Sequence, residues 1–144
     1  MLDFLIMSND YFLLKDGSKQ SHKLNLYKYA NEICLHYGSS IEGRNASVSY
    51  WLKKNRKLPL IVSIKESLFY ICTRSLKEDD ALLIAYHELI YYRKEKKGTR
   101  LYFKNNINIL IYEYIRIIRR QEKMLHSYIF LRNEYNKSNG LLRK

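Results

Sequence analysis

Gly38-Ser39-Ser40, two spacer residues and then Gly43-Arg44 form the tightest cluster of chemically capable residues in the chain, with Cys34 four positions upstream. Backbone N–H groups and hydroxyls at a helix N-terminus can hold a phosphate, and Arg44 would be its charge partner. The longer glycine run ending in Lys-Ser/Thr that defines a P-loop is missing, so nucleotide hydrolysis is not expected. The same cradle suits a phosphate of a nucleic-acid backbone. Catalysis finds no comparable support. His22, His36, His87 and His126 share no metal-like spacing. His87-Glu88 is the nearest approach to an acid/base pair, but adjacent residues on a strand point to opposite faces. Cys34 and Cys72, each in an apolar context, are too few for a disulfide framework or a zinc site. They predict two buried thiols in a reducing cytoplasm, with no metal and no cofactor.

Charge points to an anionic partner. Lys and Arg number 26 against 14 acids in 144 residues, a formal balance of +12. That excess favours nucleic acid or an anionic surface, with plain solubility as the alternative. Four basic clusters stand out. Arg44 goes with the end of the second helix (Lys53, Lys54, Arg56, Lys57). A loop from Arg93 to Arg100 carries Lys96, Lys97 and Arg100 among its cations, and a helix face carries Arg116, Arg119, Arg120 and Lys123. The last is the tail from residue 136. No window reaches the length of a membrane span, and the apolar start from Met1 to Met7 is too short for a signal peptide.

These residues need elements to position them. Leu26, Ala30, Ile33 and Tyr37 share a helix face, and Gly38 falls where a left-handed residue would close that helix. Ser39 with Glu42 reads as a capping box, so a second helix starts at about Ser40, with Ile41, Val48, Trp51 and Leu52 as its apolar face. Gly43 in its first turn suggests close approach of another backbone. Leu58-Pro59 stops that helix. Leu60–Ile64 and Leu68–Thr73 read as strands, while 81–92 fits either a strand or a short helix. Leu101 and Phe103 alternate with polar residues, Asn105-Asn106 suits a tight turn, and Ile107, Ile109 and Ile111 alternate on the way back. From Tyr112 the period becomes helical, with Ile111, Ile115, Ile118, Leu125, Ile129 and Arg132 on one stripe to about Tyr135. Residues 1–23 are expected to be loosely ordered, a hairpin or a single strand followed by a surface loop, and 136–144 a frayed basic tail. The whole predicts one α+β domain over 1–144: an antiparallel sheet spanning Leu60 to Ile111, packed with two N-terminal helices and one long C-terminal helix.

The Gly-Ser-Ser/Gly-Arg spacing with Cys34 resembles the signature of the competence transcription factor ComK family. Further blocks are similar in the same order: Pro59-Leu60-Ile61-Val62, then Leu68 to Ser75, the Thr99–Asn106 hairpin and the closing helix from Tyr112, over roughly Leu24 to Tyr135. Cys72 stands where the family strand has a proline, and the strand after it is reduced to Leu82–Tyr86, as in a short, diverged member. The resemblance implies a cytoplasmic, non-enzymatic activator of competence genes that binds AT-rich double-stranded DNA as a homo-oligomer, largely through minor-groove and phosphate contacts. Cys34, Gly38, Ser39, Ser40 and Gly43 are then its structural signature. Arg44 and the three basic clusters before the tail are the expected DNA contacts. A structural role for Arg44, pairing with Glu42 or Glu66, competes with that reading. Two other functions compete with the activator. One is an interaction module that keeps the fold and a contact to a proteolytic adaptor without promoter activity. The other is a small basic RNA-binding protein or ribonuclease, which would need a His/Arg/Tyr cluster.

Overall fold

The computed structural model describes residues 3–142, with side chains to Ser138. Its first strands are β1 (Phe4–Met7), β2 (Tyr11–Leu14) and β3 (Lys19–Ser21), followed by helices α1 (Leu26–His36) and α2 (Ile41–Leu52). Six more strands come next: β4 (Leu60–Ser63), β5 (Leu68–Cys72), β6 (Leu83–Ala85), β7 (Leu89–Glu95), β8 (Gly98–Phe103) and β9 (Asn108–Ile111). Helix α3 (Ile115–Leu142) closes the chain. The class is α+β, as expected, but there are two antiparallel sheets instead of one. A six-stranded sheet runs β3-β2-β1-β6-β5-β4, and a three-stranded sheet runs β7-β8-β9.

The expectation of a loosely ordered start is overturned. β1 lies inside the large sheet, pairing Ile6 with Ile84 and Met7 with Leu83 on one side and Phe4 with Leu14 on the other. All four of its residues are buried. The physical reason is that this sheet is covered on both faces, so its inner strand is a continuous apolar run without alternation. On one face Phe4, Leu60, Val62, Tyr70 and Leu83 pack against Leu26, Ala30 and Ile33 of α1. On the other, Leu5, Ile6, Ile71 and Ile84 meet Leu101, Phe103 and Ile111 of the small sheet and Ile118 of α3. Each fully buried side chain of this size contributes about 1.5–3 kcal/mol of transfer free energy.

The turn between α1 and α2 forms where expected, with one correction. Gly38 has φ +93°, the Ser39 N–H donates to the Cys34 carbonyl (3.3 Å), and the Gly38 N–H donates to that of Leu35 (3.1 Å), which is a Schellman closure. The cap of α2 is Ser40, not Ser39: its Oγ accepts the Gly43 N–H at 3.0 Å. Glu42 therefore sits one position early for a capping box. At Gly43 a Cβ would meet only the Ser39 hydroxyl at close range, which can rotate aside, and no second backbone approaches, so the expected backbone contact is not there.

Alternation in β8 is as read, with Thr99, Leu101 and Phe103 buried, and Asn105 and Asn106 both have positive φ (66° and 61°). The ambiguous stretch 81–92 resolves into β6, a 3-10 turn at Tyr86–Glu88 and the start of β7. Arg93–Glu95 belongs to β7, so the basic loop shrinks to the turn Lys96-Lys97. Buried positions on α3 are Ile118, Gln121, Met124, Leu125 and Tyr128. Ile115, Ile129 and Arg132 are only half-buried. The helix continues to Leu142, so the residues expected to fray from position 136 are helical at least that far.

Gly98 holds the small sheet to the entry of α3, because a Cβ there would strike the Ile111 carbonyl oxygen and lie 3.1 Å from Tyr112 Cα. Nothing lies within 4 Å of a Cβ at Gly38, where only the positive φ opposes a side chain. Gly98→Ala is expected to lower stability by about 3 kcal/mol, through overpacking against backbone. Gly38→Ala should cost about 1–2 kcal/mol. Urea denaturation measures both, and an unchanged midpoint for Gly98→Ala would contradict the contact.

Candidate nucleic-acid interface

Three basic segments far apart in sequence meet in one open cleft of about 1210 Å³. Lys57 comes from the loop after α2, Lys94, Lys96 and Lys97 from the β7–β8 hairpin, and Arg116 and Arg120 from the first turns of α3. Arg74, Glu78, Glu95 and Glu113 also line it, with Tyr112 and Tyr114 at the entry of the helix.

Two of the three acids that line the cleft, Glu95 and Glu113, are already engaged, and Glu78 makes no ion pair among the described residues. Glu113, buried, accepts from Arg74 Nε at 2.9 Å and Nη2 at 3.4 Å, and Asp80 lies 3.4 Å from the same guanidinium. Glu95 accepts from Arg100 Nε at 2.6 Å and Arg93 Nη2 at 3.3 Å. The Arg100 hydrogen bond, followed by the contribution of Arg93, holds the Glu95 carboxyl below its ordinary value. Among the described residues, Lys57, Lys94, Lys96, Lys97, Arg116 and Arg120 make no ion pair. Internal pairing thus neutralises Glu95 and Glu113, and the six unpaired cations of the lining face a single unpaired acid, Glu78.

One buried amide holds the walls together. Gln121, 1% exposed in the middle of the apolar stripe of α3, donates from Nε2 to the Lys57 carbonyl at 2.6 Å. Its Oε1 accepts the Cys72 N–H at 3.1 Å. A stripe read for apolar residues alone passes over Gln121, and the pairs that form the cleft are separated by too many residues to show in local spacing.

The remaining site residues lie elsewhere. Arg44 donates from Nη2 to the Tyr37 carbonyl at the end of α1 and does not line the cleft. No ion pair joins it to Glu42 or Glu66 among the described residues. Arg100 is held by Glu95 and by Asn108 Oδ1 (2.9 Å) on the outer face of the small sheet. Lys53, Lys54 and Arg56 are exposed on the loop that leads to Lys57, and Arg119 and Lys123 are exposed on α3 outside the cleft lining. Arg74, Tyr112 and Tyr114 join the site although the sequence did not single them out.

A tyrosine–carboxylate–histidine cluster does exist, on the other side of α3. Tyr92 donates to Glu122 Oε1 at 2.7 Å, Tyr86 donates to Oε2, and Tyr86 Oη lies 3.1 Å from His126 Nε2. Burial first and Glu122 second push the Tyr92 phenol up to about 12, and raise Tyr86 likewise. Both phenols stay protonated and serve as donors that fasten α3 to the small sheet. Burial also pushes the Cys34 thiol up to about 11, against the field of Arg44, and Cys72 up to about 12, so neither is a nucleophile near neutrality. His87 lies in the 3-10 turn with Nδ1 against the Phe69 backbone (3.1–3.3 Å), and Glu88 faces Lys15 at 3.2 Å. No group of three His, Cys, Asp or Glu among the described residues could hold a metal ion, and no described helix is long and apolar enough to cross a membrane.

A family model described as ComK protein matches residues 18–134, most of the 144-residue chain. No curated protein and no solved structure matches it.

Gln121→Ala removes both amide bonds and leaves the Cys72 N–H and Lys57 carbonyl unpaired, for an expected loss of about 2–4 kcal/mol in urea denaturation. A variant as stable as the parent would show that the amide is not what closes the cleft wall. His87 supplies a pH dependence. Burial lowers its pKa below the ordinary 6.5, so the unfolded chain takes up the proton first. Stability is therefore complete above about pH 6.5 and falls as the pH drops through the lower folded value. A stability–pH curve should show that fall, and His87→Gln should flatten it.

Proposed function

The chain belongs to the ComK protein family, and from that premise we propose that it is a DNA-binding transcriptional regulator that engages AT-rich duplex DNA in the basic cleft. The observation that supports this most directly is the convergence of Lys57, Lys94, Lys96, Lys97, Arg116 and Arg120 without internal ion pairs among the described residues. Lysines on a hairpin tip and a loop are suited to phosphates on either side of a groove, where they release condensed counterions. Arg116 and Arg120, one turn apart on α3, are suited to the groove between them. A-tracts narrow the minor groove and deepen its negative potential, so guanidinium groups favour them by shape, without a base code. Arg44 has a structural part in this reading, closing α1 against α2. Exposed Phe130 (63%) and Tyr135 (48%) on the outer half of α3 support assembly of more than one copy.

The test is titration of AT-box and GC duplexes by fluorescence anisotropy across a salt series. Each phosphate contact contributes about 0.9 to the salt slope. Lys96→Ala/Lys97→Ala is expected to reduce the slope by roughly 2 and to weaken both duplexes alike. Arg44→Ala should lower the melting temperature and leave the slope unchanged. An unchanged slope for the double lysine variant moves the interface off the cleft. Wild-type protein without an AT preference would transfer the reading to the interaction module.

A further inference from the structure

We propose that Tyr112 and Tyr114 form a fixed aromatic wedge that enters the minor groove of the bound duplex and opens a base step, an inference that rests on the cleft being the DNA-binding surface. Two rings stand out in solvent here, 76% and 68% exposed, with the acid between them, Glu113, only 8% exposed. Hydrophobic burial alone would produce the opposite order. Single exposed aromatics are unremarkable on protein surfaces. These two are placed together, at the mouth of a cationic cleft, on backbone that is held from beneath.

Three contacts hold it. The Glu113 carboxylate is paired with Arg74 at 2.9 Å. The Glu113 carbonyl accepts the hydroxyl of fully buried Thr99 at 2.8 Å. Gly98 has no side chain and so lets the Ile111–Tyr112 backbone rest directly on the hairpin. The rings are thus carried on a segment that needs no ordering on binding, which lowers the entropic cost of using them. The Arg116 guanidinium lies 4.7 Å from the Tyr114 ring centroid, which places a cation beside the wedge. Rigid apolar side chains flanked by cations are what minor-groove proteins insert between base pairs, and pyrimidine–purine steps such as TA yield most readily. The consequence is a preference among AT-rich sequences: a duplex with central TpA steps should bind better than an uninterrupted A-tract of the same composition.

The experiment compares those two duplexes with wild-type protein, Tyr112→Ala/Tyr114→Ala and Tyr112→Phe/Tyr114→Phe, with 2-aminopurine beside the TpA step to report unstacking. Because the rings are exposed, all three proteins should have nearly the same melting temperature. Wild type and the Phe variant are expected to favour the TpA duplex and to brighten the probe. The Ala variant should lose that brightening and bind the TpA duplex about tenfold more weakly, at an unchanged salt slope. An Ala variant that still brightens the probe and keeps the preference would overturn the wedge while leaving the cleft reading intact. So would wild-type binding without any probe response. Wild-type protein that binds neither duplex would instead remove the cleft reading itself.

Discussion

The buried side chain of Gln121 is the constraint on which the rest of the architecture depends. It sits among Ile118, Met124, Leu125 and Tyr128, where an unpaired amide would be costly. Its two bonds, to the Lys57 carbonyl and the Cys72 N–H, satisfy that cost in one placement of α3. A purely apolar stripe can slide by a turn and repack, whereas an amide with two fixed partners sets the register. That register decides where Arg116 and Arg120 stand, five positions and one position before Gln121, relative to Lys57 across the cleft.

Electrostatic sorting follows from the same frame. The net charge of +12 would say little if cations and acids were mixed evenly over the surface. Instead, carboxylates are drawn into internal roles: Glu113 against Arg74, Glu95 against Arg100, Glu122 under two phenols, and Glu88 between Lys15 and Lys104. Pairs whose cations reach solvent, as these do, contribute little to stability individually. Their larger effect is on the field around the cleft, where Lys57, Lys94, Lys96, Lys97, Arg116 and Arg120 make no ion pair among the described residues. Arg74, Arg93 and Arg100 are paired to acids, whereas Arg116 and Arg120 are not.

Local physics was legible in the sequence where it acts over a few residues. The left-handed Gly38, the alternation of Leu101 and Phe103, the positive φ of Asn105 and Asn106 and the helical period after Tyr112 all follow from short-range rules. Errors of one residue arose where two neighbours had the same chemistry, as with Ser39 and Ser40: both hydroxyls could cap, and the backbone chose Ser40. The N-terminal hairpin was read, but not the place of β1 inside the sheet, because burial on both faces erases the alternation that marks a half-buried strand. The contact of Arg44 to the Tyr37 carbonyl could not be read from the sequence, because a backbone partner leaves no trace in residue types. The cleft was the least legible feature, since it joins residues near positions 57, 95 and 118, and only the tertiary fold brings them together.

One departure from the resembling family takes on a physical meaning in this frame. Cys72 occupies the position at which the ComK-like strand has proline, and proline has no N–H to give. In this chain the large-sheet ladder has already run out there: β4 begins at Leu60, opposite Tyr70, so no residue of β4 faces Cys72. On its other side Cys72 pairs with Leu83, and the next N–H, that of Thr73, goes to the Leu82 carbonyl at 3.1 Å. The Cys72 N–H would therefore be a buried donor without a strand partner, and Gln121 Oε1 takes it. A proline at 72 would need no such acceptor, and the amide at 121 would lose half of its function. The two residues form one device, in which the Cys72 N–H is matched by an acceptor on α3. That coupling ties the end of β5 to the helix carrying Arg116 and Arg120 and so fixes the wall of the cleft.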